Sequence, residues 1–153
     1  MNNFTWTEFL GLYIHLAGFV IGLGAVTVID LHGFLGRNSG YWTEATIRTH
    51  KVTKPLIWLG IGLAILGAYI FHRPNGWTFP LALQAAIALG LIANGFFLSF
   101  RVSPFLLRRE REGRATETLP LELQKKIVVA FLLSFAGWWS ALLITVYQVL
   151  SRK

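Results

Sequence analysis

Four histidines are the residues of this chain whose type and spacing most directly suggest chemistry. His15 lies inside a long apolar segment, whereas His32, His50 and His72 lie at or near the ends of such segments. The sequence has no cysteine, so disulfides, thiolate metal sites and iron–sulfur clusters are excluded. A metal or cofactor would therefore be held by His, Asp, Glu, Asn, Gln, Tyr or Met side chains.

The composition indicates the solvent in which these histidines lie. Hydrophobic residues make up 54% of the 153-residue chain and charged residues only 14%, about half the charged fraction of a typical soluble domain. A protein of this size cannot bury so many apolar side chains in its interior, so we expect lipid to surround the apolar side chains that stay exposed. The net charge of +7 then indicates loops beside anionic headgroups. Nucleic acid is not an expected partner, because the basic residues are not interleaved with aromatic ones.

Four segments are long and apolar enough to cross a bilayer, for which a helix needs roughly 20 residues. They cover about residues 9–29, 55–71, 79–100 and 127–150. Helices are expected because an open strand edge would leave unpaired backbone groups in lipid. The sequence therefore predicts an all-α, integral membrane four-helix bundle in which residues 1–153 form a single domain.

The distribution of lysine and arginine predicts the orientation. Eleven of the 14 basic residues fall in or beside the first and third connections, and three fall on the opposite side. Because positive charge is retained on the cytoplasmic side, loops 30–54 and 101–126 are predicted to be cytoplasmic and both termini outside. We therefore expect a multi-pass protein of the cell (inner or plasma) membrane.

This topology predicts how deep each histidine lies in the bilayer. His15 lies roughly 9 Å inside the outer end of the first span at 1.5 Å per residue. His72 closes the second span on the same side, so the two form an outer pair. His32 and His50 form an inner pair near the cytoplasmic surface. A histidine within a membrane helix usually faces the bundle interior.

The helix face that carries His15 is otherwise made of small residues. Gly18, Gly22 and Ala25 fall on that face at 100° per residue. Such a face either leaves a slot for a flat ligand or lets another helix approach closely. Gly18 and Gly22 also form a GxxxG pattern, for which helix packing is the simpler explanation.

Haem b is the cofactor that would combine these features. Imidazole binds haem iron, and small neighbours leave room for the macrocycle. We predict His15 as the axial ligand, His72 as its partner, and Gly18 and Gly22 as contacts of the ring. His32 and His50 are weaker candidates. The alternative is that His15 hydrogen-bonds a neighbouring helix and the other histidines are ordinary interfacial residues.

Asp30 is the acidic side chain at the inner end of the first span. Arg37, Arg48 and Lys54 are within reach, so a structural ion pair is favoured over proton handling. Gln84 and Asn94 in the third span are interpreted as interhelical hydrogen-bonding residues.

No arrangement typical of a catalytic site is evident. The sequence contains no HExxH motif, no phosphate-binding loop and no carboxylate pair within the membrane. Catalytic residues therefore cannot be named, and whether the protein is an enzyme stays open.

Several short motifs together resemble a known group of membrane proteins. They are His15, Gly22-Leu-Gly24, Asp30, Trp58, Gly67, Asn94-Gly95-Phe-Phe-Leu-Ser and Val102-Ser103-Pro104. On these residues the chain is similar to small four-helix proteins related to the copper-resistance-D-like families, and more distantly to membrane-bound, haem-dependent protoporphyrinogen oxidases. The resemblance implies a four-helix bundle with a b-type haem at His15. The oxidases carry an arginine-containing segment where this chain has Asp30-Leu-His32, so porphyrinogen oxidation is not carried over.

The sequence thus favours a b-type haem membrane protein with an electron-transfer or redox role. If it is an enzyme, it would be a haem-dependent membrane oxidoreductase. A small transporter or channel component and a non-catalytic scaffold subunit are the alternatives. The lipid bilayer is the expected partner, and a homodimer or a larger membrane complex is considered as the assembly.

Overall fold

The computed structural model describes residues 5–36, 38–73 and 76–151, and every regular element in these ranges is helical. The predicted all-α architecture is therefore confirmed for the described part of the chain. The elements are α1 (Trp6–Leu35), α2 (Gly40–His72), α3 (Phe79–Phe97), a π-helical turn (Leu98–Val102), α4 (Ser103–Arg111) and α5 (Leu121–Leu150).

Among the described residues, four helical rods are long and apolar enough to cross a membrane. They are α1, α2, α5 and the continuous rod formed by α3, the π turn and α4 from Phe79 to Arg111. At 1.5 Å per residue, a rod of 30 residues is about 45 Å long, which matches a bilayer with its headgroups. Large apolar side chains such as Val20, Leu89 and Leu143 are exposed along these rods, as expected in lipid. The direction of insertion stays a prediction.

The rods alternate in direction. Thr5, Arg73, Gly76 and Ser151 lie at one end of the bundle, called the termini side below. Gly36, Ser39 and residues 112–120 lie at the other end, called the loop side. This up-down order follows from short connections between successive helices.

The helices extend beyond the spans predicted from hydropathy. α1 begins at Trp6 because Thr5 caps it: the Thr5 hydroxyl accepts a bond from the Glu8 amide at 3.2 Å, and the Glu8 carboxylate accepts one from the Thr5 amide at 3.0 Å. α2 starts at Gly40 and continues through Pro55. The predicted second span, 55–71, is therefore only the apolar half of a longer helix, because hydropathy detects lipid contact and not helix ends.

Glycines bring α1 and α2 into backbone contact. A Cβ added at Gly60 would lie 2.5 Å from the Gly22 Cα and 2.9 Å from the Gly18 carbonyl oxygen. A Cβ added at Gly67 would lie 2.6 Å from the His15 Cα. Real side chains never come this close, so only glycine permits this packing.

Pro104 explains the irregular stretch of the third rod. Proline has no amide hydrogen, and its ring clashes with the carbonyl one turn earlier. The helix widens at this point, and the Ser103 amide donates to the Leu98 carbonyl. Helix α4 then continues to Arg111.

Candidate functional site

His15 is the centre of a buried polar network on the termini side. Its side chain is 3% exposed, and its Nδ1 lies 2.6 Å from the Ala64 carbonyl oxygen. A carbonyl can only accept, so Nδ1 carries the hydrogen. In the neutral ring Nε2 is then an acceptor, and it lies 2.9 Å from the Thr145 hydroxyl oxygen. The imidazole thus connects α1 to both α2 and α5.

Gln84 completes the network from α3. Its amide nitrogen lies 2.8 Å from the Thr145 hydroxyl oxygen, 3.1 Å from the Ala141 carbonyl oxygen and 3.2 Å from His15 Nε2. The amide has two hydrogens, which satisfy Thr145 and Ala141, while the Thr145 hydroxyl donates to His15. These donor directions satisfy Thr145, Ala141 and His15, and the 3.2 Å approach of the Gln84 amide nitrogen to His15 Nε2 is then a contact without a hydrogen bond. All four rods meet at this point.

The sequence did not single out Thr145, although one signal was present. Gln84 and Thr145 lie five residues, and His15 six residues, inside the termini-side ends of their predicted spans. Polar residues at equal depth in different helices can meet in a bundle. Asn94 forms interhelical hydrogen bonds, as the sequence predicted. Its amide on α3 donates to the Ala130 carbonyl of α5 at 2.8 Å and to the Ser134 hydroxyl of α5 at 2.9 Å.

A cavity of about 660 Å³ opens between α2 and α3 beside this network. We call it the termini-side cavity. Its walls are mainly apolar, and it includes both outer histidines among its lining residues. Four alanines of α2 and α3 provide the room, with Arg73 and Trp77 at the end nearest the termini. The lining residues used below are His15, Ala64, Ala68, His72, Ala85 and Ala88.

The structure thus places His15 and His72 in the wall of one cavity, with His72 8% exposed. Gly18 and Gly22 are not among the residues that line it. Gly18 faces the backbone of Gly60 and Ala64, and Gly22 faces the ring of Trp138. The space beside the histidines therefore comes from alanines of α2 and α3, and the two glycines serve close packing where the sequence predicted contact with a ligand.

The inner histidines do not share a site. His32 stacks on Trp42, with ring centroids 5.3 Å apart and an interplanar angle of 28°. His50 lines a separate cavity on the loop side, together with Asp30 and Lys54. Within residues 5–36, 38–73 and 76–151, no three His, Cys, Asp or Glu side chains are placed to hold a metal ion.

Asp30 does not form the predicted ion pair with the described basic residues. Arg48 instead pairs with Glu44 at 2.5 Å, one helical turn away on α2. Arg37 lies outside the described residues. The Asp30 Oδ2 atom is buried and has no hydrogen-bond partner in the described part of the chain.

A second polar cluster fixes the connection between α4 and α5. Arg109 is 7% exposed, pairs with Glu117 at 2.6 Å and donates to the Thr118 carbonyl at 3.2 Å. Arg114 also contacts Glu117, at 2.8 Å. Hydrogen bonds from Arg114 and then Arg109 lower the pKa of Glu117 from 4.5 to about 2. The sequence did not distinguish Arg109 from the exposed arginines beside it.

The residues of the termini-side cavity can be compared with the needs of haem b. The volume falls within the roughly 300–1,000 Å³ of cofactor sites, and the walls are apolar. The hydrogen bond from His15 Nδ1 to a carbonyl is the orientation typical of metal-binding imidazoles. Arg73 could pair with carboxylate tails at the rim. His15 Nε2, however, accepts from Thr145, so that bond must be exchanged for the ring to act as a ligand.

Comparisons with known protein families, with curated proteins and with solved structures found no match for this chain. The resemblance to the copper-resistance-D-like group and to the haem-dependent oxidases stays a prediction.

Proposed function

We propose that this protein binds haem b in the termini-side cavity and has an electron-transfer or redox role in the membrane. The observation that carries the proposal is that His15 and His72, from different helices, line one apolar cavity of about 660 Å³. Bound haem would supply one-electron chemistry. The residues of the chain would hold it, orient it and exclude water.

His72 and His15 have different roles in this proposal. His72 is next to Arg73, so it lies near the water-facing end of the cavity, where a guanidinium can neutralise carboxylates. His15 is held in one orientation by Ala64. Its Nε2 would be released by rotation of the Thr145 hydroxyl, whose oxygen lies 3.0 Å from a second acceptor, the Ala141 carbonyl.

Absorption spectroscopy of the detergent-purified protein tests the proposal. Hemin added to the protein should give a Soret band that shifts on reduction with dithionite. His72→Ala and His15→Ala should weaken binding or change the spin state, whereas His50→Ala, in the loop-side cavity, should leave the spectrum unchanged. A protein that stays colourless with haem supplied during expression would overturn the proposal, as would equal spectra for all three variants.

Transport is the second candidate function, and one observation favours it. The termini-side cavity and the loop-side cavity share three lining residues, Ile61, Leu91 and Trp138. Two cavities that approach from opposite sides and meet at an apolar partition could form a gated path. Flux through proteoliposomes that rises in Trp138→Ala would favour transport over haem binding.

A further inference from the structure

The loop-side cavity that His50 lines has a volume of about 110 Å³ and lies between α1, α2, α3, the π turn, α4 and α5. We call it the loop-side chamber from here on. Its three charged or titratable lining residues are Asp30 on α1 and His50 and Lys54 on α2. The π turn, α4 and α5 contribute only uncharged residues to its lining, among them Ser99, Gln124 and Ser134.

Two of these groups are buried without the partners that burial requires. Asp30 Oδ2 and His50 Nε2 are each inaccessible to solvent and have no hydrogen-bond partner in the described part of the chain. An unsatisfied buried polar group destabilises the folded state. Water removes that cost, and a water molecule needs about 10–15 Å³ of such space. The chamber therefore has room for several water molecules beside these atoms.

We propose that the loop-side chamber is a hydrated proton-binding site in which Asp30 and His50 exchange one proton through water. The proton arrives from solvent water and binds either the carboxylate oxygen or the imidazole Nε2, and it returns to water when released. An ionisable residue within a membrane helix usually has such a function. Lys54 faces the same chamber, and its charge favours the carboxylate over the imidazolium.

The loop-side chamber lies close to the termini-side cavity. It ends at the partition of Ile61, Leu91 and Trp138, directly behind the termini-side cavity. Trp138, which is 2% exposed, is part of this partition. The proton site is thus near the proposed cofactor site but separated from it by side chains, and it does not depend on haem binding.

Infrared spectroscopy of the protein in lipid nanodiscs tests the proposal. A carboxylic C=O band should appear and disappear with pH, move when H₂O is replaced by D₂O, and be lost in Asp30→Asn. Glu44→Gln, which removes a carboxylate paired with Arg48 outside the chamber, should leave the band unchanged. In His50→Gln the titration midpoint of the band should move, because the second proton acceptor is gone.

Two results would overturn the proposal: a band that Asp30→Asn does not remove, or a midpoint that His50→Gln does not move. If Asp30→Asn does not fold, Asp30→Glu keeps a carboxyl group and should shift the band frequency, and an unshifted band counts against Asp30. Hemin binding measured on these variants separates the two proposals, since the loss of the proton site should leave the Soret band intact.

Discussion

His15 Nδ1 lies 2.6 Å from the carbonyl oxygen of Ala64, within the stretch where α1 and α2 are in backbone contact. A helix carbonyl has two lone pairs, so Ala64 can accept from the imidazole as well as from its own helix. Gly67 makes the approach possible, because it faces the backbone of His15 directly. The tautomer of the imidazole therefore depends on a glycine of the neighbouring helix.

The first prediction concerns this glycine. Gly67→Ala should destabilise the protein by about 1–3 kcal/mol or more, because its Cβ would lie 2.6 Å from the His15 Cα and must separate the helices. Gly62→Ala is the matched control, since nothing lies within 4 Å of a Cβ at that position of α2. Unfolding in mixed detergent measures both. Equal stability of the two variants would contradict the glycine contact.

The second prediction concerns the Thr145 hydroxyl of α5, which contacts side chains of α1 and α3. Thr145→Val should lower the free energy of unfolding by about 1–2 kcal/mol, because His15 and Gln84 both lose a partner. Thr27→Val is the control: its exposed hydroxyl donates only to the Leu23 carbonyl of its own helix, at 2.7 Å. The same detergent unfolding assay compares them. A loss in Thr27→Val as large as that in Thr145→Val would refute the network as a source of stability.

The third prediction concerns acid stability at the loop side. The pKa of Glu117 is lowered from 4.5 to about 2 by hydrogen bonds from Arg114 and Arg109. A lowered pKa in the folded state contributes stability that is present above pH 4.5 and is lost as pH falls towards 2. Glu117→Gln should therefore flatten the decline of stability in this range. Glu122→Gln, which removes an exposed pair with Lys125, should not flatten it, and thermal unfolding at stepped pH tests both.

The long spans could be predicted from the sequence because lipid requires runs of apolar residues, and such runs are local. The burial of His15 could also be expected, since an imidazole is costly in lipid. The role of Gly18 could not. A face of small residues suits a ligand as well as a helix, and the choice depends on Gly60, which is distant in sequence and faces it across the bundle.

The roles of Thr145 and Arg109 could not be predicted from the sequence for the same reason. Thr145 has no local feature that distinguishes it from other hydroxyls in apolar helices, and its importance comes from the depth it shares with His15 and Gln84. Arg109 is one arginine in a basic run. It is buried because the connection between α4 and α5 folds back and brings Glu117 against it. In each case the missing information is the rotation of one helix against another, which hydropathy does not contain.

The last prediction tests whether the termini-side cavity is where haem binds, without changing either histidine. Ala85→Phe should abolish or strongly weaken hemin binding, because Ala85 lines the cavity and a phenyl ring would occupy part of its volume. Ala86→Phe adds the same ring to the next residue of α3, which is exposed on the outside of the bundle, and should bind hemin as the unchanged protein does. A hemin titration followed at the Soret band, with helical content measured in parallel, compares the two variants. Equal affinity in both would show that hemin binds elsewhere, and the pairing of His15 with His72 as ligands would then have to be abandoned.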